Sequence, residues 1–260
     1  MALYRGMDRA ALDAAYNNSA AVANSAQIVA GWQARSDALK GSHAKFSALR
    51  YGAKPKNQID LFEAGRDAPL LAFIHGGYWQ MRAPDNFYFL AAGPLANGIS
   101  VAFIGYTLAP DIRLDGIVAE VRTALDSLDR DLVLSGWSAG GHLTAMAIGH
   151  PRVRAGLAIS GLYDLEPIRL CYLNDKLGLD EAEARRNSPM LRPASGKPLV
   201  LAYGTGELPE LQRQSQDYAK LGRDSVLLPI EGDDHFSILE RLASPDGALT
   251  EQVRTLFGQR

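Results

Sequence analysis

Leu132-Val133-Leu134-Ser135-Gly136-Trp137-Ser138-Ala139-Gly140-Gly141-His142-Leu143 decides how the rest of the chain is read. The apolar run 132–134 predicts a strand, and the spacing over 142–148 predicts a helix. Between them Gly136-Trp137-Ser138-Ala139-Gly140 leaves room only for a sharp turn. A serine at the apex of such a turn projects its hydroxyl beyond the end of a sheet, and the flanking glycines let neighbouring backbone pass without a Cβ clash. An ordinary glycine-rich turn has the same local appearance, so the surroundings carry the argument.

From Phe46 onward short apolar runs alternate with helical stretches. The runs include 70–74, 99–104, 155–159 and 199–202, several of them apolar at nearly every position, as strands covered on both faces require. Between two of these runs Ile117, Val121, Ala124, Leu125 and Leu128 recur at helical spacing. The alternation predicts an α/β fold, a mostly parallel central sheet flanked by helices. Residues 1–44 read as an N-terminal helical segment of two stretches. Residues 163–193 read as a short helical, cap-like excursion after the sixth strand, with helical patterns at 166–172 and 180–186. No repeat or linker divides the chain, so residues 1–260 are expected to form a single domain.

The formal net charge is only −2, from 27 basic and 29 acidic side chains. Such a balance offers no electrostatic footprint for nucleic acid or an anionic membrane. Cys171 is the only cysteine; an internal disulfide, a CxxC pair and a zinc site built on thiolates are therefore excluded, and a cytoplasmic setting is expected. No apolar stretch approaches the roughly 18 residues a membrane helix needs. A small-molecule substrate, with no cofactor and no metal, is the expected partner.

In open α/β sheets ligands bind beyond the carboxyl ends of the strands, so the residues just after each run matter most. His75-Gly76-Gly77-Tyr78-Trp79 follows the run 70–74. Backbone N–H groups of Gly76, Gly77 and Ala139 could form the oxyanion hole that acyl transfer needs. A serine nucleophile also needs a base, and five histidines are available. His43 precedes the sheet, His75 belongs to the glycine loop, and His142 and His150 lie on the helix after Ser138. His235 alone sits in a loop after the last run, 226–230, where it can reach back to the serine. The third member should be a carboxylate that fixes the imidazole tautomer. Glu207 is the first carboxylate beyond the run 199–202, with Asp164 and Glu210 as rivals. Tyr78, Trp79, Trp137 and Phe236 stand beside these turns, either as an aromatic substrate pocket or as core.

Taken together, His75-Gly76-Gly77-Tyr78-Trp79, Gly136–Leu143 with its Gly-Trp-Ser-Ala-Gly turn, Ser160-Gly161-Leu162-Tyr163-Asp164-Leu165 and His235-Phe236 resemble the kynurenine formamidase (arylformamidase) group of α/β-hydrolases. The similarity runs from about Tyr51 to His235. The family's acid segment resembles Asp-Ser-Pro-Glu-Phe followed by Arg-Gln-Ser. Here it reads Glu207-Leu208-Pro209-Glu210-Leu211-Gln212-Arg213-Gln214-Ser215, so the resemblance selects Glu207, a glutamate where the family has aspartate. It implies an α/β-hydrolase fold and cleavage of N-formylkynurenine to kynurenine and formate by Ser138, His235 and Glu207. A carboxylesterase acting on small acyl esters is the nearest alternative. A non-catalytic binding protein on the same fold is the remote one.

Overall fold

Apolar residues at every position suit a strand only if helices cover both faces of its sheet, and the runs read from the sequence take that place. The computed structural model describes residues 2–221 and 224–259. Its strands are β1 (Phe46–Arg50), β2 (Gln58–Phe62), β3 (Leu70–Ile74), β4 (Ser100–Ile104), β5 (Leu132–Trp137), β6 (Val153–Ile159), β7 (Leu199–Gly204) and β8 (Ser225–Ile230). They form one eight-stranded sheet in the order β1-β2-β4-β3-β5-β6-β7-β8. Only β1 with β2 and β2 with β4 pair antiparallel; the other neighbours are parallel. The expected architecture is therefore present. β1 carries no continuous apolar run, because it is an edge strand exposed over most of its length.

Alternate side chains of each central strand enter opposite core layers, as the pleat dictates. Leu70, Ala72 and Ile74 pack on one face with Leu143 of the helix Ala139–Ala147 and with Ile117, Val121 and Leu125 of the helix Leu114–Asp126. Leu71 and Phe73 pack on the other with Trp32 of the helix Ser25–Ser42 and with Leu249 and Val253 of the helix Ala248–Leu256. Each such fully buried aliphatic side chain contributes about 1.5–3 kcal/mol.

The N-terminal segment holds three helices rather than two: Arg9–Ala15, Asn18–Ala21 and Ser25–Ser42. Asp8 caps the first and Asn17 the second, each accepting an N–H three residues on. The segment contributes to both core layers, with Leu12 and Tyr16 in one and Trp32 in the other. The excursion likewise has a third short helix, Asn174–Leu177, between Glu166–Arg169 and Glu181–Arg186. The backbone N–H of Tyr172 donates to Asp13 Oδ1 (2.7 Å), which joins the excursion to the N-terminal segment. No described helix is long and apolar enough to cross a membrane.

Candidate active site

β5 ends at Trp137, and the helix Ala139–Ala147 begins one residue after Ser138. Ser138 between them sits at φ 57°, ψ −118°, in left-handed territory that a serine occupies only under constraint. Its N–H donates to Ile159 O on β6 (2.8 Å), and its carbonyl accepts the N–H of His142 (3.1 Å). The turn can be this tight only because Gly140 lacks a side chain: a Cβ there would stand 1.9 Å from Ile74 O. The sheet thus presents the serine on the turn that the sequence predicts.

The loop after β3 comes to the same point. A Cβ on Gly76 would lie 2.8 Å from Trp137 O and 3.0 Å from Ser138 Cβ, so the bare Gly76 backbone is pressed against the serine. Ala139 opens a helix, and its N–H is among the first-turn donors that have no partner within the helix. The loop then turns through Gly77 (φ 107°), Tyr78 (50°) and Trp79 (59°), three consecutive residues in left-handed conformations. Anchors outside the loop hold it there. The Tyr78 hydroxyl donates to Tyr16 O (2.7 Å) and accepts from Asn18 Nδ2 (2.9 Å).

Of the five histidines, His235 is the one whose ring packs against Trp137, the residue before Ser138. Its ring centroid lies 4.8 Å from that of Trp137. The Trp137 indole N–H donates to the His235 carbonyl (2.8 Å). Asp233, held by Arg241 (2.7 Å), and Asp234, whose Oδ1 accepts the N–H groups of Phe236 and Ser237, shape the loop on either side. The other histidines are engaged elsewhere. His43 contacts Glu63 O, and His150 contacts Asp126. Burial lowers His75 and His142 to about 4, so both are neutral at pH 7. Their ring contacts with the carbonyls of Gly76 (2.8 Å) and Asn187 (2.7 Å) therefore require the proton on His75 Nδ1 and on His142 Nε2.

The three carboxylates considered from sequence part company. Asp164 accepts from the Tyr4 hydroxyl (2.7 Å) and from the N–H of Glu166 (3.0 Å). Glu210 forms an ion pair with Arg213 (2.8 Å). Glu207 alone meets the imidazole, its Oε2 lying 2.8 Å from His235 Nδ1 with both side chains buried. The second carboxylate oxygen, Oε1, accepts the Ser160 hydroxyl (2.6 Å) and the Gly204 N–H (2.7 Å). Sequence reading did not single out Ser160. It entered only as the first residue of the segment 160–165 that carries the family resemblance, with no role attached.

The four aromatic residues read from the sequence as either pocket or core are all buried. Trp79 is completely buried and packs edge-on against His142 at 4.9 Å. Trp137 and Phe236 are each 3% exposed and sit around Trp32, at ring distances of 5.6 and 5.9 Å. The helix carrying Trp32 covers them, so they are packing rather than open surface. Tyr78, at 9% exposure, is the least buried of the four.

No family model matches the chain. It is 32% identical over 237 residues to the kynurenine formamidase of Salmo salar, covering 80% of this chain and 81% of that one. Against the kynurenine formamidase of Danio rerio the figures are 31% over 236 residues, with 80% of each covered. Among solved structures, a Silicibacter sp. protein described as a candidate thioesterase superposes with a TM-score of 0.87 at 29% identity, covering 93% of this chain and 98% of that one. An esterase of Pyrobaculum calidifontis, at 16% identity, TM-score 0.70 and coverage of 89% and 92%, shares the fold. The strand–serine–helix turn, the glycine loop beside it and the relatives' length and identity agree: this chain belongs to the kynurenine formamidase family and has the α/β-hydrolase fold.

Proposed function

We propose that the protein is an arylformamidase that hydrolyses N-formylkynurenine to kynurenine and formate, with Ser138 as nucleophile, His235 as base and Glu207 as its orienting acid. The buried His235–Glu207 pair at 2.8 Å, next to the residue preceding Ser138, is the observation that carries this reading. His235 Nε2 takes the hydroxyl proton as Ser138 Oγ attacks the formyl carbon. The negative oxygen of the tetrahedral intermediate takes N–H donors from Ala139 and from Gly76 or Gly77. The protonated His235 then delivers its proton to the departing aryl amine, and kynurenine leaves. Water, deprotonated by the same imidazole, attacks the formyl-serine; formate departs and Ser138 Oγ recovers its proton.

Glu207 Oε2 accepts from Nδ1–H, which keeps Nε2 free as the acceptor for this cycle and stabilises the imidazolium when it forms. Ser138 is only 2% exposed, and Gly76 is pressed against it. That crowding suits an acyl carbon bearing nothing larger than hydrogen. We read residues 1–260 as one catalytic unit in which the N-terminal segment and the excursion both serve the site.

The same groups would also cleave a small acyl ester, and one comparison separates the two activities. Turnover of N-formylkynurenine should exceed that of a short-chain aryl ester in kcat/KM. Brisk ester hydrolysis with no detectable formamide cleavage moves the assignment to a carboxylesterase.

A further inference from the structure

Glu207 reaches His235 with a side chain one methylene longer than an aspartate would offer. A longer arm has an additional rotatable bond, so holding Oε2 on the imidazole requires the other oxygen to be fixed as well. The site contains such a fixture. Ser160 follows the last residue of β6 and adopts φ 50°, the left-handed region, with its N–H donating to Ala202 O on β7 (2.7 Å). This conformation aims its hydroxyl across the parallel β6–β7 pair, where it donates to Glu207 Oε1 at 2.6 Å. The Gly204 N–H, at 2.7 Å, is the second donor to that oxygen. Ser160 and Glu207 are both buried, and 47 residues separate them. A strained serine conformation persists only where the surroundings enforce it, and such strain concentrates at functional sites.

We infer that Ser160 is a positioning residue for hydrolysis: its hydroxyl locks the Glu207 carboxylate so that Oε2 stays on His235 through the reaction. The inference rests on the reading of Glu207 as the orienting acid. Ser160 does not touch the substrate, so its removal should act on turnover and leave substrate binding unchanged. Glycine is the informative replacement, because it deletes the hydroxyl while accepting the positive φ that Ser160 already has.

The experiment compares wild type, Ser160→Gly, Glu207→Gln and the double variant by steady-state kinetics on N-formylkynurenine and on a short-chain aryl ester, with thermal unfolding of each. Loss of a hydrogen bond to an ionised group corresponds to roughly 10- to 100-fold in rate. Ser160→Gly should therefore lower kcat by about that factor on both substrates, with KM and Tm close to wild type. Adding it to Glu207→Gln should cause little further loss, because residues acting as a unit are not additive. Wild-type kcat in Ser160→Gly, or a full second loss in the double variant, overturns the inference. A Glu207→Gln variant with wild-type turnover instead overturns the underlying assignment of the acid. Should the glycine variant not fold, Ser160→Ala is read by the same criteria.

Discussion

The hydroxyl of Tyr78 donates to the backbone carbonyl of Tyr16 at 2.7 Å, tying the loop that carries Gly76 and Gly77 to the N-terminal segment. The same oxygen accepts from Asn18, so one phenol connects three parts of the chain. Tyr78→Phe leaves the Tyr16 carbonyl and the Asn18 amide without this partner. It should lower stability by about 1–3 kcal/mol and reduce kcat several-fold while the fold is retained. Thermal melts and kinetics on the purified variant check this; unchanged turnover would mean that the loop holds its shape without the tether.

Ser138 should be a residue whose removal improves stability. Its φ of 57° is strained for serine and comfortable for glycine. Ser138→Gly should raise stability by on the order of 1 kcal/mol while abolishing hydrolysis, a loss of roughly 10⁴-fold or more. Ser138→Ala should be equally inactive without the gain, because alanine keeps a Cβ at that φ. An active Ser138→Gly enzyme sinks the mechanism.

The three candidate acids should separate clearly. Glu207→Gln is expected to cost several orders of magnitude in kcat. Asp164→Asn and Glu210→Gln disturb contacts to Tyr4 and Arg213 and should change kcat less than tenfold. A damaging Asp164→Asn beside a mild Glu207→Gln would transfer the role to the earlier strand.

Trp79→Ala should harm formamide and ester hydrolysis alike. The indole is buried against His142, so its removal opens a cavity, with a loss of about 3–5 kcal/mol in stability. A selective loss on N-formylkynurenine with an unchanged melting temperature would instead restore a direct role in holding the aromatic ring.

Acid should destabilise the fold through His75 and His142. Burial lowers both to about 4, against an ordinary value of 6.5, so the unfolded chain takes up their protons first. Their effect is absent above pH 6.5. Stability then falls as pH drops toward 4, by on the order of 3 kcal/mol per histidine when complete, and levels off below that. Urea unfolding at intervals from pH 7.5 to 4.5 should show the decline, and His142→Gln should make it shallower. A flat profile contradicts the burial of the two rings as neutral groups.

The readable parts of the sequence were those written locally. The serine turn and the apolar strands carry their signals within a few neighbouring residues. The Glu207–His235 contact does not: three carboxylates satisfied the chain order, and only the family resemblance chose among them. The role of Ser160, quoted only as part of a family segment, was not legible because its partner lies beyond a neighbouring strand, through the register that pairs Ile159 with Ala202. Trp137 and Phe236 stayed open between pocket and core because residue type gives no account of what covers a side chain. Trp32, more than a hundred residues before Trp137, supplies that cover. The edge strand β1 had no apolar run to reveal it, since water rather than helix lies over most of it.

The N-terminal segment also sets the order in which the molecule can be assembled. Tyr4 bonds Asp164 across 160 residues of chain, and Tyr16 bonds Gln214 across 198. A chain made from its amino end releases both tyrosines long before their partners exist, and domains complete folding only as those later segments emerge. Contacts of such separation form late, after the loop entropy between them has been overcome. Tyr4 and Tyr16 thus close these two bonds only after most of the later chain is available, whereas the tether from Tyr78 to Tyr16, 62 residues apart, needs far less of it.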